Sequence, residues 1–106
     1  MKTNIKSEVS DGTRKVDLIG SINAVNAESV HDAVLADVGK WEEPCVVLGL
    51  KNVDYVSSAA LRIFMELWKA GGANQVEVML ADPTTDVREV LELTGFQNIF
   101  KIIESG

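Results

Sequence analysis

The chain has 106 residues, a formal net charge of −6 and 46% hydrophobic residues, which are the size and composition of one ordinary globular domain. Disorder would require fewer apolar residues. A protein that binds nucleic acid or an anionic membrane would carry a basic face, whereas the lysines and arginines here are scattered along the chain. With one cysteine and one histidine, neither an intramolecular disulfide nor a cysteine–histidine metal cluster can form. We therefore expect a single domain over residues 1–106, with no metal, no cofactor, no direct nucleic-acid partner and no membrane partner.

The expected location follows from the same features. The first residues, MKTNIKSEVSDG, contain no apolar core of a signal peptide, and no apolar run approaches the length of a transmembrane helix. A single cysteine suits a reducing compartment. The sequence therefore predicts a cytoplasmic protein.

The first predicted elements are two antiparallel strands. Residues 5–9 alternate weakly between apolar and polar side chains, and they are followed by Asp11-Gly12, a dipeptide typical of tight hairpins. In the second strand Val16 and Leu18 share one face. We therefore predict a hairpin that turns at Asp11-Gly12.

A helix and a buried strand are predicted next. Asn26 is suited to cap the N-terminus of the helix, and Gly39 is suited to end it. Between them, apolar residues recur at helical spacing: Ala27, Val30, Val34 and Val38. Residues 45–50, CVVLGL, form a continuous apolar run that is typical of a strand covered on both faces, and Lys51-Asn52 is expected to end it.

The second half of the chain continues the alternation. A helix is predicted from about residue 58 to residue 70, ending at Gly71-Gly72, and a strand follows over residues 76–80. A third helix then carries Val87, Val90, Leu91 and Thr94 on one face, and residues 98–103 form a last short strand. The order ββαβαβαβ predicts an α/β fold with a largely parallel sheet and right-handed crossovers.

Few side chains offer catalytic chemistry. The only histidine, His31, lies beside the apolar stripe of its helix, and we expect a surface residue at the edge of the core. Cys45 is interpreted as a small buried side chain and Trp68 as a core residue. Because the sequence shows no paired carboxylates, no nucleophile with a base and no phosphate-binding glycine loop, it does not predict an enzyme.

The serine pair between strand and helix is the main functional signal. In NVDYVSSAALRIFMEL, residues 52–67, Ser57 and Ser58 precede a predicted helix, where one serine would suffice as the cap. A phosphate on the second serine would add about −1.5 to −2 charges. The helix N-terminus tolerates that charge, whereas a partner docked over the site would have to desolvate it. The pair thus has the chemistry of a binding switch, and a plain helix cap is the alternative.

An apolar patch is expected beside this junction. Arg62, Glu66 and Lys69 form one narrow polar stripe, so apolar residues wrap much of the helix circumference. Ile63 or Met65 is then expected to be partly exposed and to suit a partner, unless a neighbouring helix covers it.

The chain contains LIGSINAVNAESV, VVLGLKNVDYVSSAALRIFMELWKAGG and ADPTTDVREVLELTGFQNIFKI in this order. Together these segments resemble STAS domains, specifically bacterial anti-sigma factor antagonists, over nearly the whole chain. The resemblance implies a small α/β domain with a mixed, mainly parallel sheet and helices mostly on one face. It also implies a non-enzymatic protein that binds an anti-sigma factor, itself a serine kinase. Phosphorylation at Ser58, less suitably at Ser57, would release that partner, and a serine phosphatase would reset the switch.

The switch, the patch and the resemblance together predict a set of partner-binding residues: Asn23, Asp54, Ser57, Ser58, Ala59, Ala60, Arg62 and Ile63. Two of them depart from the family pattern. Ala60 replaces the usual glycine, and its methyl group could crowd an approaching kinase. Asn23 stands where some members carry aspartate, so a polar contact to the partner could be lost.

Two other functions are compatible with this sequence. The first is another STAS role, as a subunit of a signalling or lipid-transport assembly that is never phosphorylated. The second is a nucleotide-binding domain, against which the missing glycine loop argues. The sequence does not predict the oligomeric state.

Overall fold

A computed structural model describes residues 5–104, which form a five-stranded sheet and three α-helices. In chain order the elements are β1 (Ile5–Ser10), β2 (Thr13–Ile19), α1 (Ala27–Val38), β3 (Cys45–Asn52), α2 (Ser58–Ala73), β4 (Glu77–Ala81), α3 (Thr85–Leu93), a short 3₁₀ helix (Phe96–Asn98) and β5 (Ile102–Ile103). The predicted α/β class and the order ββαβαβαβ are confirmed.

The sheet is mixed, and its strands lie in the order β1-β2-β3-β4-β5. β1 is antiparallel to β2, and the remaining neighbours are parallel. A helix joins the two strands of each parallel pair. Because right-handed crossovers that step in one direction place their helices on one face, all three helices cover the same side of the sheet. The carboxyl ends of β2, β3 and β4 meet at one end of the sheet, where the loops into the helices begin.

The core lies between this face of the sheet and the helices. It takes alternate strand residues and one stripe of each helix, including Val16, Leu18, Val46, Leu48, Val78, Leu80, Val30, Val34, Phe64, Leu67, Val87 and Leu91. Burial of each large aliphatic side chain contributes about 1.5–3 kcal/mol. In α2 the buried stripe includes Ile63, Phe64 and Leu67, and this stripe sets the rotation of the helix, which leaves Ser58 and Arg62 facing outward.

The predicted end of α2 at Gly71-Gly72 is wrong, because the helix continues to Ala73. Gly71 is buried, and a β-carbon added there would stand 2.5 Å from Val78 Cγ2 and 3.0 Å from the carbonyl oxygen of Val76. The missing side chain therefore lets α2 approach β4 closely.

Two strand boundaries also differ from the prediction. β3 continues through Lys51-Asn52, because Asn52 pairs with Ile19 after a shift of register in β2. Residues 98–103 do not form one strand, since the 3₁₀ helix takes the start of this segment and only Ile102–Ile103 pair with β4.

The prediction that Trp68 is a core residue is wrong. Trp68 is 39% exposed, and its ring packs on Phe100 with a centroid distance of 6.3 Å. Cys45 is half-buried at the start of β3, and burial raises the pKa of its thiol. No helix within residues 5–104 is long and apolar enough to cross a membrane.

Candidate functional site

The two adjacent serines have different structural roles. Ser57 is the N-cap of α2, and its Oγ accepts a hydrogen bond from the backbone N–H of Ala60 at 3.3 Å. Its own backbone N–H donates to the carbonyl oxygen of Ile22 at 3.0 Å. Ser57 is therefore committed to holding the start of the helix.

Ser58 is the first residue of α2, and its side chain is exposed. Within residues 5–104 no group forms a hydrogen bond with its hydroxyl. The backbone N–H groups of the first helical turn lack partners inside the helix and carry a partial positive charge. The Ser58 hydroxyl is thus free for a reaction at a position that accepts negative charge.

The loop before α1 lies against the loop before α2. Ile22 forms a parallel bridge with Val56, and its N–H donates to the carbonyl oxygen of Tyr55 at 2.9 Å. The Ser21 hydroxyl donates to Asp54 Oδ1 at 2.7 Å. These contacts bring Asp54 and the residues around Asn23 to the same end of the sheet as the serine pair.

Asn23 and Asn26 close the loop before α1. Asn23 Oδ1 accepts from the N–H groups of Val25 at 2.9 Å and Asn26 at 3.2 Å, while Asn26 Oδ1 accepts from the N–H of Asn23 at 2.8 Å. Asn26 Nδ2 also donates to the carbonyl oxygen of Ser21 at 2.7 Å. Asn26 precedes α1 as predicted, but its side chain forms no cap bond with the helix, because these loop contacts occupy it.

Two large apolar residues at the serine end of the sheet are strongly exposed, and sequence reasoning did not find them. Val25 is 81% exposed and Tyr55 is 55% exposed, one on each of the two paired loops. Large apolar side chains in this position favour contact with another protein. The available signal was an apolar side chain inside a short polar loop, but only the bridge between Ile22 and Val56 shows that the two loops adjoin.

Arg62 lies one helical turn beyond Ser58 and is half-exposed. Its guanidinium lies 3.3 Å from a Glu66 carboxylate oxygen and 3.8 Å from one of Glu28 on α1. These are exposed ion pairs, which contribute little to stability and exchange easily for stronger ones. Arg62 can therefore turn toward a new anion near Ser58.

Two predicted contact residues cannot touch a partner. Ala60 and Ile63 are both 0% exposed and belong to the core stripe of α2. The expectation that Ile63 is partly exposed is therefore wrong, whereas Met65 is partly exposed. The methyl group of Ala60 points into the core, so it cannot crowd an approaching kinase. Ala59 is half-buried beside the serines.

Among residues 5–104, neither serine of the pair forms a hydrogen bond with a general base. His31 contacts carboxylates instead of a serine: Nδ1 lies 3.7 Å from Glu28 and 3.8 Å from Asp32, and Nε2 lies 3.8 Å from Glu66. Ligand atoms of Glu28, His31 and Asp32 come within 4.8 Å of one another and could hold a cation. Both carboxylates are strongly exposed, as on an ordinary solvated helix face.

Comparison with known proteins agrees with this architecture. The family model of the STAS domain matches residues 4–105. A protein of Bordetella bronchiseptica, assigned as the anti-sigma factor antagonist BtrV, is 39% identical over 95 residues, which are 90% of this chain and 81% of the relative.

Two solved structures share the fold. An anti-sigma factor antagonist from Mycobacterium paratuberculosis matches with a TM-score of 0.84 at 24% identity, covering 96% of this chain and 86% of that one. The Bacillus anti-sigma factor antagonist SpoIIAA, in its unphosphorylated form, matches with a TM-score of 0.79 at 13% identity, covering 97% and 89%. From the family match over nearly all of its length, the chain belongs to the STAS domain family.

Proposed function

We propose that this chain is an anti-sigma factor antagonist, a regulatory binding protein without enzymatic activity that is switched off by phosphorylation at Ser58. The observation that carries the proposal is the division of labour between two neighbouring serines, since Ser57 caps α2 while the exposed Ser58 hydroxyl has no partner among the described residues. The 39% identity to BtrV supports the same function.

The geometry around Ser58 favours a phosphate that leaves the fold unchanged. A phosphate there would add about −1.5 to −2 charges beside the positive end of a 16-residue helix whose first turn contains no acidic residue. Arg62, one turn further on, can exchange its long contacts with Glu28 and Glu66 for the phosphate. The modified domain should therefore remain folded.

The same phosphate should oppose a bound partner. Val25 and Tyr55 supply the apolar contact surface at the serine end of the sheet. Its polar and small residues are Asn23, Asp54, Ala59 and Arg62. A partner that covers this surface has to remove water from the phosphate, which is costly unless the partner provides cations to pair with it. Phosphorylation would therefore lower the affinity chiefly by its charge.

The proposed partners follow from the chemistry of the switch. Adding a phosphate to Ser58 requires a serine kinase, and we propose that this kinase is the anti-sigma factor itself. Removing the phosphate requires a serine phosphatase. The single cysteine suits a reducing compartment, and we propose the cytoplasm.

Intact-mass measurement tests the proposal. The protein is incubated with ATP and each candidate anti-sigma kinase from the same cells, with Ser58→Ala and Ser57→Ala as matched variants. We expect one added phosphate on the native protein and on Ser57→Ala, and none on Ser58→Ala. A phosphate that persists in Ser58→Ala would place the switch elsewhere. No phosphate with any kinase would instead favour a STAS module that binds its partner constitutively.

A further inference from the structure

A groove of about 450 Å³ runs along the outer side of α2, beginning at Ser58. Its apolar lining includes the partly buried side chains of Leu61, Met65 and Phe96. Its charged lining consists of the exposed residues Arg62, Glu66 and Lys69, two cations and one carboxylate. From Ser58 to Lys69 the groove spans about 16 Å, or three helical turns.

The groove exists because, among residues 5–104, α2 packs closely against one helix, α1, on one flank. On that flank, α1 reaches α2 through the contacts of Glu28 with Arg62 and of His31 with Glu66. On the other flank the chain leaves α3 in a 3₁₀ helix, in which Phe96 stacks on Phe100 with ring centroids 5.7 Å apart. Residues 5–104 leave this side of α2 partly exposed over about three helical turns, a length that suits one more helix.

The charge along the groove is opposite to that of the whole protein. The chain carries a net charge of −6, yet the groove begins at the positive end of the α2 dipole and continues past Arg62 to Lys69. Within residues 5–104 Lys69 has no ion-pair partner, while the Glu66 carboxylate already faces Arg62 and His31. An occupant with carboxylates along its edge therefore fits better than a basic one.

We propose that this groove binds an amphipathic helix of the anti-sigma factor that carries carboxylates beside an apolar stripe, an inference that rests on the proposed function. The apolar stripe packs on Leu61, Met65 and Phe96, and the carboxylates lie near Lys69 and the start of α2. A phosphate on Ser58 places negative charge at the mouth of the groove and draws Arg62 toward itself. The phosphate thus weakens binding of the same acidic helix that the unmodified groove attracts.

A second copy of this chain is a poorer occupant. The acidic helices that it could offer are α1 and α3. α1 exposes Glu28 and Asp32 but no large apolar residue strongly, and α3 exposes Asp86, Glu89 and Glu92 with one strongly exposed large apolar residue, Leu93. One side chain does not make a stripe that fills three helical turns.

The test uses two fluorescein-labelled peptides of about four helical turns, with the same leucine stripe and either glutamate or lysine at all other positions. Anisotropy titrations against the full chain should show that the glutamate peptide binds about tenfold tighter than the lysine peptide. Lys69→Glu should lower the affinity for the glutamate peptide about fivefold or more. The matched variant is Lys40→Glu, at a position that is exposed but outside the groove, and it should change the affinity for this peptide less than about twofold.

A second pair of variants tests the apolar floor. Met65→Glu should abolish binding of the glutamate peptide, and Leu93→Glu, an exposed leucine outside the groove, should leave it intact. If Met65→Glu loses its native circular dichroism, the lysine variants alone decide the outcome, because both positions are exposed.

Each contrary result overturns the inference. The first is that the glutamate peptide does not bind, and the second is that the lysine peptide binds equally well. The third is that Lys69→Glu and Lys40→Glu lose equal affinity for the glutamate peptide, and the fourth is that the chain self-associates and Met65→Glu abolishes the self-association. The assay contains neither kinase nor ATP. The proposed function would fail separately if the glutamate peptide bound to the groove but no kinase phosphorylated Ser58.

Discussion

Substitutions at Ser57 and Ser58 should separate helix capping from switching, because the two adjacent hydroxyl groups have different partners. Ser57→Ala removes the oxygen that accepts the N–H of Ala60 at 3.3 Å. Loss of an N-cap typically costs about 0.5–2 kcal/mol, and the long bond favours a value of about 1 kcal/mol. Ser58→Ala removes an exposed hydroxyl with no described partner, so the free energy of unfolding should change by less than about 0.5 kcal/mol. Ser58→Asp adds a carboxylate to the first turn and should stabilise the fold by about 0.3–1 kcal/mol.

Urea unfolding followed by circular dichroism measures these differences, and thermal unfolding gives an independent reading of about 4–8 °C for each kcal/mol. Partner binding should show the reverse pattern, with Ser57→Ala retaining most of the affinity of the folded protein and Ser58→Asp losing it. The reasoning would be refuted if Ser58→Ala destabilised the protein as much as Ser57→Ala, or if Ser58→Asp unfolded it. Either result would make Ser58 a structural residue.

Three further changes have outcomes that follow from the structure. Gly72→Ala should raise the free energy of unfolding by about 0.5–1 kcal/mol, because its side chain would enter open space. Gly71→Ala should lower the free energy of unfolding by about 1–2 kcal/mol despite the same gain in helix propensity, because its β-carbon would overlap Val78. Equal stabilities of the two variants in thermal unfolding would contradict the close packing of α2 on β4. Native Cys45 should react with iodoacetamide more slowly than free cysteine at mildly alkaline pH, since burial raises the pKa of its thiol, and urea should restore the rate; an equal native rate would show that the thiol is fully accessible. Tyr55→Ala should lower the affinity for the anti-sigma partner about fivefold or more in a calorimetric titration, while the stability of the variant stays unchanged. An unchanged affinity would show that this loop is not part of the interface.

The sequence pattern predicted the sheet and helices because each has a local signature. Asp11-Gly12 indicated the hairpin, and the alternation of Val16 and Leu18 showed which face of β2 is buried. The ends of α2 and of the last strand were harder to predict. Gly71 resembles a helix stop in sequence, and only its contact with β4 shows that a missing side chain is needed inside the helix.

The position of the candidate site in the chain could be predicted from the sequence, but the residues that form its exposed surface could not. The serine junction was visible in the sequence, whereas the assignment of Ser57 to the cap depended on one hydrogen bond. Which apolar residue of α2 faces outward depended on the rotation of that helix over the sheet, which buries Ile63 and leaves Met65 partly exposed. Tyr55 is near the serines in the chain itself, whereas Val25 reaches the same end of the sheet only because two loops far apart in the chain are paired.

The hydrogen bond from Ser21 to Asp54, with the bridge between Ile22 and Val56, has a thermodynamic consequence. The two loops are already joined before any partner arrives, so association does not need to order them and loses little conformational entropy there. Calorimetry on the proposed complex should then show a modest entropic penalty. A modification at Ser58 would act on a surface whose shape is already set, so on and off forms should have nearly superimposable backbones and differ in electrostatic potential alone.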